Sequence, residues 1–296
     1  MATAAVHPPS QDSLITEKPE IPTVYIPHNV QTTLTFNAPR EDGTPHPAIT
    51  IGQPESYTRP MVDLSATIYD ITGHELDYNL DDHGFQYHYH ESEEKDFISE
   101  NTIKSEYYPE VEQLLKDVTG ASRVFIFDHV LRRAAKDWTT GEQPRGPIHT
   151  VHIDASYNGA ESRVRHYLPD EAEELLKCRV QMISLWRPIR TVLKDPLAVS
   201  DAKTTPESGL EEIKFIFPDH VGGSWSVKPD PNIKWYYRYK QPPNLVTFLK
   251  LYDSKMDGRA KRLPHSAFSD ATTENEPARE SIEVRALLFH PDDTRD

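Results

Sequence analysis

The 296-residue sequence predicts a mainly β fold with flanking helices, a sandwich or barrel rather than an alternating α/β sheet. Three observations carry this. Runs rich in β-branched and aromatic residues recur from residue 123 to 289. Only two stretches show helical character, and no βαβ rhythm or internal repeat links the rest.

Along the chain, residues 1–20 are polar and proline-containing, which predicts a disordered tail. Residues 21–60 alternate short extended pieces such as TVYIP with proline-rich turns, which predicts an extended arm over the body. Residues 61–296 then form a single domain. VDLSATIYDITG (62–73) reads as a strand ending in a turn at Gly73. Residues 109–120 place Val111, Leu114, Leu115 and Val118 on one helical face, and Gly120 supplies the stop. RVFIFDHVL (123–131) is strand-like, and LPDEAEELLKC (168–178) predicts a second short helix with Asp170 near its start. Strands are expected at 180–186, 213–217, 233–239, 245–253 and 282–289.

Composition removes several function classes. Thirty-two basic against 47 acidic residues give a net charge of -15, opposed to phosphate-backbone binding and to an anionic membrane surface. The single cysteine, Cys178, excludes an intramolecular disulfide framework and a Cys-rich zinc module. No run approaches a membrane span, and the opening residues lack the basic and apolar regions of a secretory signal. The reading is a soluble, cytoplasmic protein with a small-molecule substrate and neither nucleic acid nor membrane as partner. A homodimer stays open.

The chemistry centres on GPIHTVHIDAS (146–156). On a strand, Thr150, His152 and Asp154 share one face, while His149, Val151 and Ile153 take the other. His152 and Asp154 thus project an imidazole and a carboxylate side by side, two members of a 2-His-1-carboxylate set for Fe(II). His149 is a competing ligand only if the strand is irregular. His265 in LPHSAF would supply the third ligand. Arg279 and Ser281, 14 and 16 residues further on, open a β-run. There a guanidinium can hold a carboxylate bidentately while the hydroxyl adds one bond. A diacid chelated at one end and salt-bridged at the other is 2-oxoglutarate, with O2 as the further cosubstrate.

The pattern H-x-D … H … R-x-S resembles the Fe(II)/2-oxoglutarate-dependent dioxygenase superfamily. More narrowly, YDITGHELDYNLDDHGFQ, the 107–133 segment, VHIDAS, WRPI, DPLAVSDA, WYYRY, LYDS, PHSAF and RESIEVRALLF resemble its hydroxylase/desaturase family. That family includes fungal gibberellin desaturase-like and aspirochlorine-pathway enzymes and bacterial cephem methoxylase-like proteins. The resemblance covers roughly residues 60–290. It implies a double-stranded β-helix (jelly-roll) core and hydroxylation or desaturation of a small secondary metabolite, with succinate and CO2 as coproducts. Two departures stand out. The 113 residues between His152 and His265 exceed the plant-type spacing, and Ser184 stands where the family has Asn before its Trp-Arg-Pro stretch. Two alternatives are a metal-dependent enzyme on this scaffold without 2-oxoglutarate, and a non-catalytic metal-binding jelly roll.

His83, His88 and His90 form a rival cluster that reads better as a solvated or substrate-facing loop. Arg187, His88 and Tyr237 are candidate substrate contacts, and Arg285 is a weaker candidate for the carboxylate clamp. Lys250 and Asp253 are expected to form a structural ion pair.

Overall fold

The computed structural model describes residues 25–133 and 146–295. The expected tail at 1–20 lies outside them. In chain order the first strands are β1 (Val30–Asn37), β2 (Ile49–Thr50), β3 (Met61–Asp70), β4 (Phe85–Tyr89) and β5 (Arg123–Arg132). Then come β6 (His152–Ile153), β7 (Cys178–Pro188), β8 (Leu197–Ser200), β9 (Leu210–Ile216) and β10 (Val221–Val227). The last are β11 (Trp235–Tyr237), β12 (Leu245–Asp253), β13 (His265–Ala267) and β14 (Ser281–Thr294).

They build two sheets. One has the order β1-β3-β11-β8-β13-β6-β10-β9-β2, the other β4-β12-β7-β14-β5. Pairing is antiparallel except for β11 with β3 and β2 with β9. Phe85, Tyr87, Met182, Trp186 and Leu249 of the smaller sheet meet Leu197 and Val199 of the larger one in a shared core. This is the jelly-roll sandwich that the resemblance implied.

The smaller sheet is buried on both faces, so its strands read as continuous apolar runs. Along β7, Met182, Ser184 and Trp186 point between the sheets, while Ile183, Leu185 and Arg187 point to the outer face. That outer face is covered by a helical segment. It starts as α1 (Glu100–Thr102), passes through a π turn and continues as α2 (Tyr108–Thr119). Val111, Leu114 and Leu115 of α2 pack against Leu185, Phe248 and Val284. Each such side chain contributes about 1.5–3 kcal/mol on burial. Gly120 ends α2 at φ 72°, donating its N–H to Lys116 O at 2.8 Å, as its C-terminal position predicts.

Three expectations differ. Within the segment expected as an arm, residues 30–37 form β1, which pairs with β3 over eight residues and buries Leu34 and Phe36. Of the helix expected at 168–178, only α4 (Ala172–Leu175) is helical, because Pro169 and an acidic run leave one apolar turn. The longer helix, α3 (Tyr157–Tyr167), lies upstream and follows the metal-ligand candidates directly. Ser156 caps it, its Oγ accepting from Gly159 N at 2.9 Å. A Cβ at Gly159 would stand 2.4 Å from Gly223 O, so α3 rests on the backbone of β10 where no side chain fits.

Candidate metal centre

β6 is short, but it keeps the alternation on which the site depends. Val151 and Ile153 are buried in a cluster with Val227, Trp235 and Phe268, so His152 and Asp154 turn the other way. β13 pairs with β6 at a single register point, His265 opposite His152. The two imidazole centroids are 4.5 Å apart. The candidate ligand atoms of His152, Asp154 and His265 all lie within 4.8 Å of one another.

Backbone carbonyls orient both histidines. His152 Nδ1 lies 2.7 Å from Thr150 O, and His265 Nδ1 lies 3.3 Å from Leu263 O. A carbonyl only accepts, so each Nδ1 donates and each Nε2 is left to face the site. His152 Nε2 then stands 3.2 Å from Asp154 Oδ1, two acceptors that need a cation between them. Without metal a proton serves: burial pulls the His152 pKa down, but the hydrogen bond and charge of Asp154 outweigh it and raise it. Burial and the neighbouring His152 instead lower His265 to about 4, so it stays neutral and able to ligate. For Asp154, burial opposes ionisation, yet the His152 hydrogen bond and the Arg285 charge hold it well below the usual carboxylate range. Cis ligands about 2.1 Å from an ion sit about 3 Å apart, close to the His152–Asp154 separation. The donor set fits a divalent metal.

Beside this cluster, Arg132, Trp186, Leu249, Arg279 and Glu283 line a cavity with His152 and His265. Arg279 is buried, with its guanidinium carbon 5.3 Å from the centre of the Trp186 ring. Its Nη1 donates to Asp195 O at 2.8 Å, while its Nε has no hydrogen-bond partner among the described residues. Asp195 has φ 50°, a left-handed conformation that aims this carbonyl at the guanidinium. Burial and the charge of Arg132 lower Arg279 to about 10, so it remains a cation at neutral pH. Ser281 Oγ is buried and likewise unpartnered. A guanidinium with a buried N–H to spare and an unpartnered buried hydroxyl fit a ligand carboxylate.

Sequence reasoning missed two participants, Glu283 and Asp195. Glu283 is buried, accepts a 2.6 Å bond from Ser184 and has its pKa raised by burial and by Asp154. Ser184, which replaces the family's Asn, is therefore the hydroxyl that holds Glu283. Asp195 acts through its backbone, which no residue pattern reveals. Arg285, the weaker candidate for the clamp, instead reaches Asp154 Oδ2 at 3.5 Å and binds Asp128 bidentately at 2.8 and 2.5 Å.

The three candidate substrate contacts lie elsewhere. Arg187 is on the outer face of β7, donating to Tyr107 Oη and to the carbonyls of His90 and Pro243, each at 2.9 Å. His88 alternates with buried Phe85 and Tyr87 on β4, and its ring stands edge-on to Phe248. Tyr237 donates to His28 O at 2.6 Å and packs on Phe268. The rival histidines do not converge, because His90 Nδ1 meets Arg187 Nη2 at 2.8 Å and His83 precedes a turn tied to β12 through Gly84 O. His149 Nε2 lies 3.5 Å from Asp195 and is largely exposed, away from the ligand set. Lys250 and Asp253 do form a buried ion pair at 2.9 Å. Arg187→Ala is expected to cost about 3 kcal/mol of stability, because it strands buried Tyr107 and breaks the partly buried bonds to the His90 and Pro243 carbonyls. Thermal melting should show the loss, while metal affinity per folded molecule is unchanged.

Comparison with known proteins places this geometry in a wider set. A family model described as "Oxidoreductase/YMDC permease-like domain" matches residues 34–289. The chain is similar to "Hydroxylase/desaturase efuI" of Hormonema carpetanum, 36% identical over 261 residues, 81% of this chain and 86% of that one. It is also similar to "Alpha-ketoglutarate-dependent dioxygenase phiK" of Fungal sp. (strain ATCC 74256), 34% identical over 267 residues, 88% and 95% of the two chains. Among solved structures, the "iron and alpha-ketoglutarate-dependent endoperoxidase NvfI" superposes with a TM-score of 0.75 at 25% identity, covering 88% of this chain and 98% of that one. No helix of the described residues is long and apolar enough to cross a membrane.

Proposed function

The chain belongs to the hydroxylase/desaturase family of Fe(II)/2-oxoglutarate-dependent oxygenases, and from that premise we propose that it oxidises an unactivated C–H bond of a small secondary metabolite. His152, Asp154 and His265 would hold Fe(II), and Arg279 with Ser281 would anchor the distal carboxylate of 2-oxoglutarate. When bound, Fe(II) with 2-oxoglutarate and O2 supplies the oxidising chemistry, with succinate and CO2 as coproducts.

The chain's own residues do the positioning. The carbonyls of Thr150 and Leu263 fix the imidazole tautomers. Asp154 brings the one ligand charge, and Arg285 steadies its second oxygen. Trp186 and Leu249 wall the cavity and exclude water around the anchored diacid. Three protein ligands leave one face of an octahedral ion for the cosubstrates.

The observation that carries this reading over the metal enzyme without 2-oxoglutarate is buried Arg279, which lines the cavity shared with His152 and His265 and whose Nε has no partner among the described residues. The test needs no substrate. Anaerobic addition of Fe(II) and 2-oxoglutarate is expected to give the weak visible metal-to-ligand charge-transfer absorption of a chelated 2-oxo acid. Fe(II) binding without that absorption would favour the alternative scaffold enzyme, and no Fe(II) binding would favour a non-catalytic jelly roll that keeps these residues as structural pairs.

A further inference from the structure

A second group of metal-ligating side chains lies at the far end of α3. The helix has eleven residues, so its last turn stands about 16 Å from Ser156. His166 sits in that turn and faces the connection between β9 and β10, which Phe217 N closes by donating to His220 O at 2.9 Å. The imidazoles of His166 and His220 stack with centroids 4.0 Å apart and 22° between planes. Phe217 covers the other face of His220 at 4.3 Å.

Asp219 spans the two histidines. Its Oδ1 is 2.8 Å from His220 Nδ1, and its Oδ2 is 3.8 Å from His166 Nε2, too far for a hydrogen bond. One ligand atom from each residue lies within 4.8 Å of the others.

Two further contacts hold the halves of this cluster together independently of it. Ser162, one turn before His166, donates to Val221 O at 2.6 Å. The bare contact of Gly159 with Gly223 fixes the other end of the helix on β10. The histidine-bearing turn and the β9–β10 connection are therefore juxtaposed before any ion arrives, which lowers the ordering cost of binding.

Two donors on a tetrahedral ion at about 2.0–2.1 Å sit about 3.3 Å apart, so the 3.8 Å gap must close by about half an ångström. The rings must also turn about their Cβ–Cγ bonds to aim their lone pairs at one ion, exchanging the stack for coordination. The three side chains reach the surface to differing degrees, with 26%, 64% and 18% exposure for His166, Asp219 and His220, and the packing exchanged in that turn is the His166 and Phe217 stacking on His220. Two imidazoles and one carboxylate suit ions of borderline softness, and exposure leaves a position for water.

We propose that His166, Asp219 and His220 form a second, surface divalent-cation site of the zinc type, which clips the end of α3 to the β9–β10 connection. It is separate from the proposed iron site and stands or falls without it.

The test uses the full chain with His152→Ala and Asp154→Ala, which disables the first ligand set. Zn(II) is followed by equilibrium dialysis, with Co(II) as a spectroscopic probe. This variant is expected to retain about one equivalent of Zn(II), to show visible Co(II) d–d absorption and to melt at a higher temperature with Zn(II) present. Adding His220→Phe, which keeps an aromatic ring against Phe217, should remove all three signals. Asp219→Asn, an exposed change that leaves the fold intact, should weaken binding at least about tenfold. The proposal is overturned if the double variant binds no Zn(II), or if binding survives both His220→Phe and Asp219→Asn.

Discussion

Asp154→Ala is expected to abolish Fe(II) binding, with turnover lost in consequence. The residue is the only anionic member of the proposed ligand set, held well below the usual carboxylate range by the hydrogen bond of His152 and the charge of Arg285 once burial is overcome. Losing an outer partner of a ligand already costs about 10–100-fold in metal affinity, so losing the charged ligand should exceed about 100-fold. His152→Ala and His265→Ala should each do the same, because two remaining ligands cannot define one octahedral face. Anaerobic equilibrium dialysis against Fe(II) measures this directly, and circular dichroism verifies that the fold persists. Wild-type affinity in Asp154→Ala would remove the carboxylate from the ligand set.

Arg279→Ala should leave the metal in place and strip the cosubstrate. A charge-assisted hydrogen bond contributes about 1.5–3 kcal/mol, and a bidentate pair makes two. Allowing for water replacing part of this, the loss is about 3 kcal/mol, or about two orders of magnitude in the 2-oxoglutarate Kd. Titrating 2-oxoglutarate into the anaerobic Fe(II) protein, read by the charge-transfer absorption, gives the number. Arg279→Lys should recover only part of the affinity, since an ammonium keeps the charge but not the fork. Unchanged 2-oxoglutarate affinity in Arg279→Ala would mean that the diacid is held elsewhere.

Much of this site is legible because strand alternation is a strict rule. One residue between His152 and Asp154 puts both on the same face, and one between Arg279 and Ser281 extends the interior series continued by Glu283 and Arg285. The α2 spacing and its Gly120 stop are equally local, and they appear as written. What escapes the sequence depends on partners distant along the chain. β1 hides among prolines, and its apolar residues gain meaning only when β3 pairs with them. α3 carries a glycine and few apolar residues, because the surface it rests on is itself glycine backbone. Arg187 invites a ligand reading, since a buried arginine is rare, but its acceptors are carbonyls and a phenol brought in from residues 90, 107 and 243. Trp186, its neighbour, is the side chain that faces the cavity.

The position of β14 has a consequence for how the protein comes into being. Among the described residues this strand follows every other, yet it sits in the interior of its sheet, with β7 on one side and β5 on the other. On the ribosome, those two neighbours emerge long before the segment that must wedge between them. Until β14 pairs, the sheet lacks Arg285, which lies 3.5 Å from Asp154, and Ser281 of the proposed diacid seat. Completion of the proposed site thus waits on the pairing of β14 between β7 and β5.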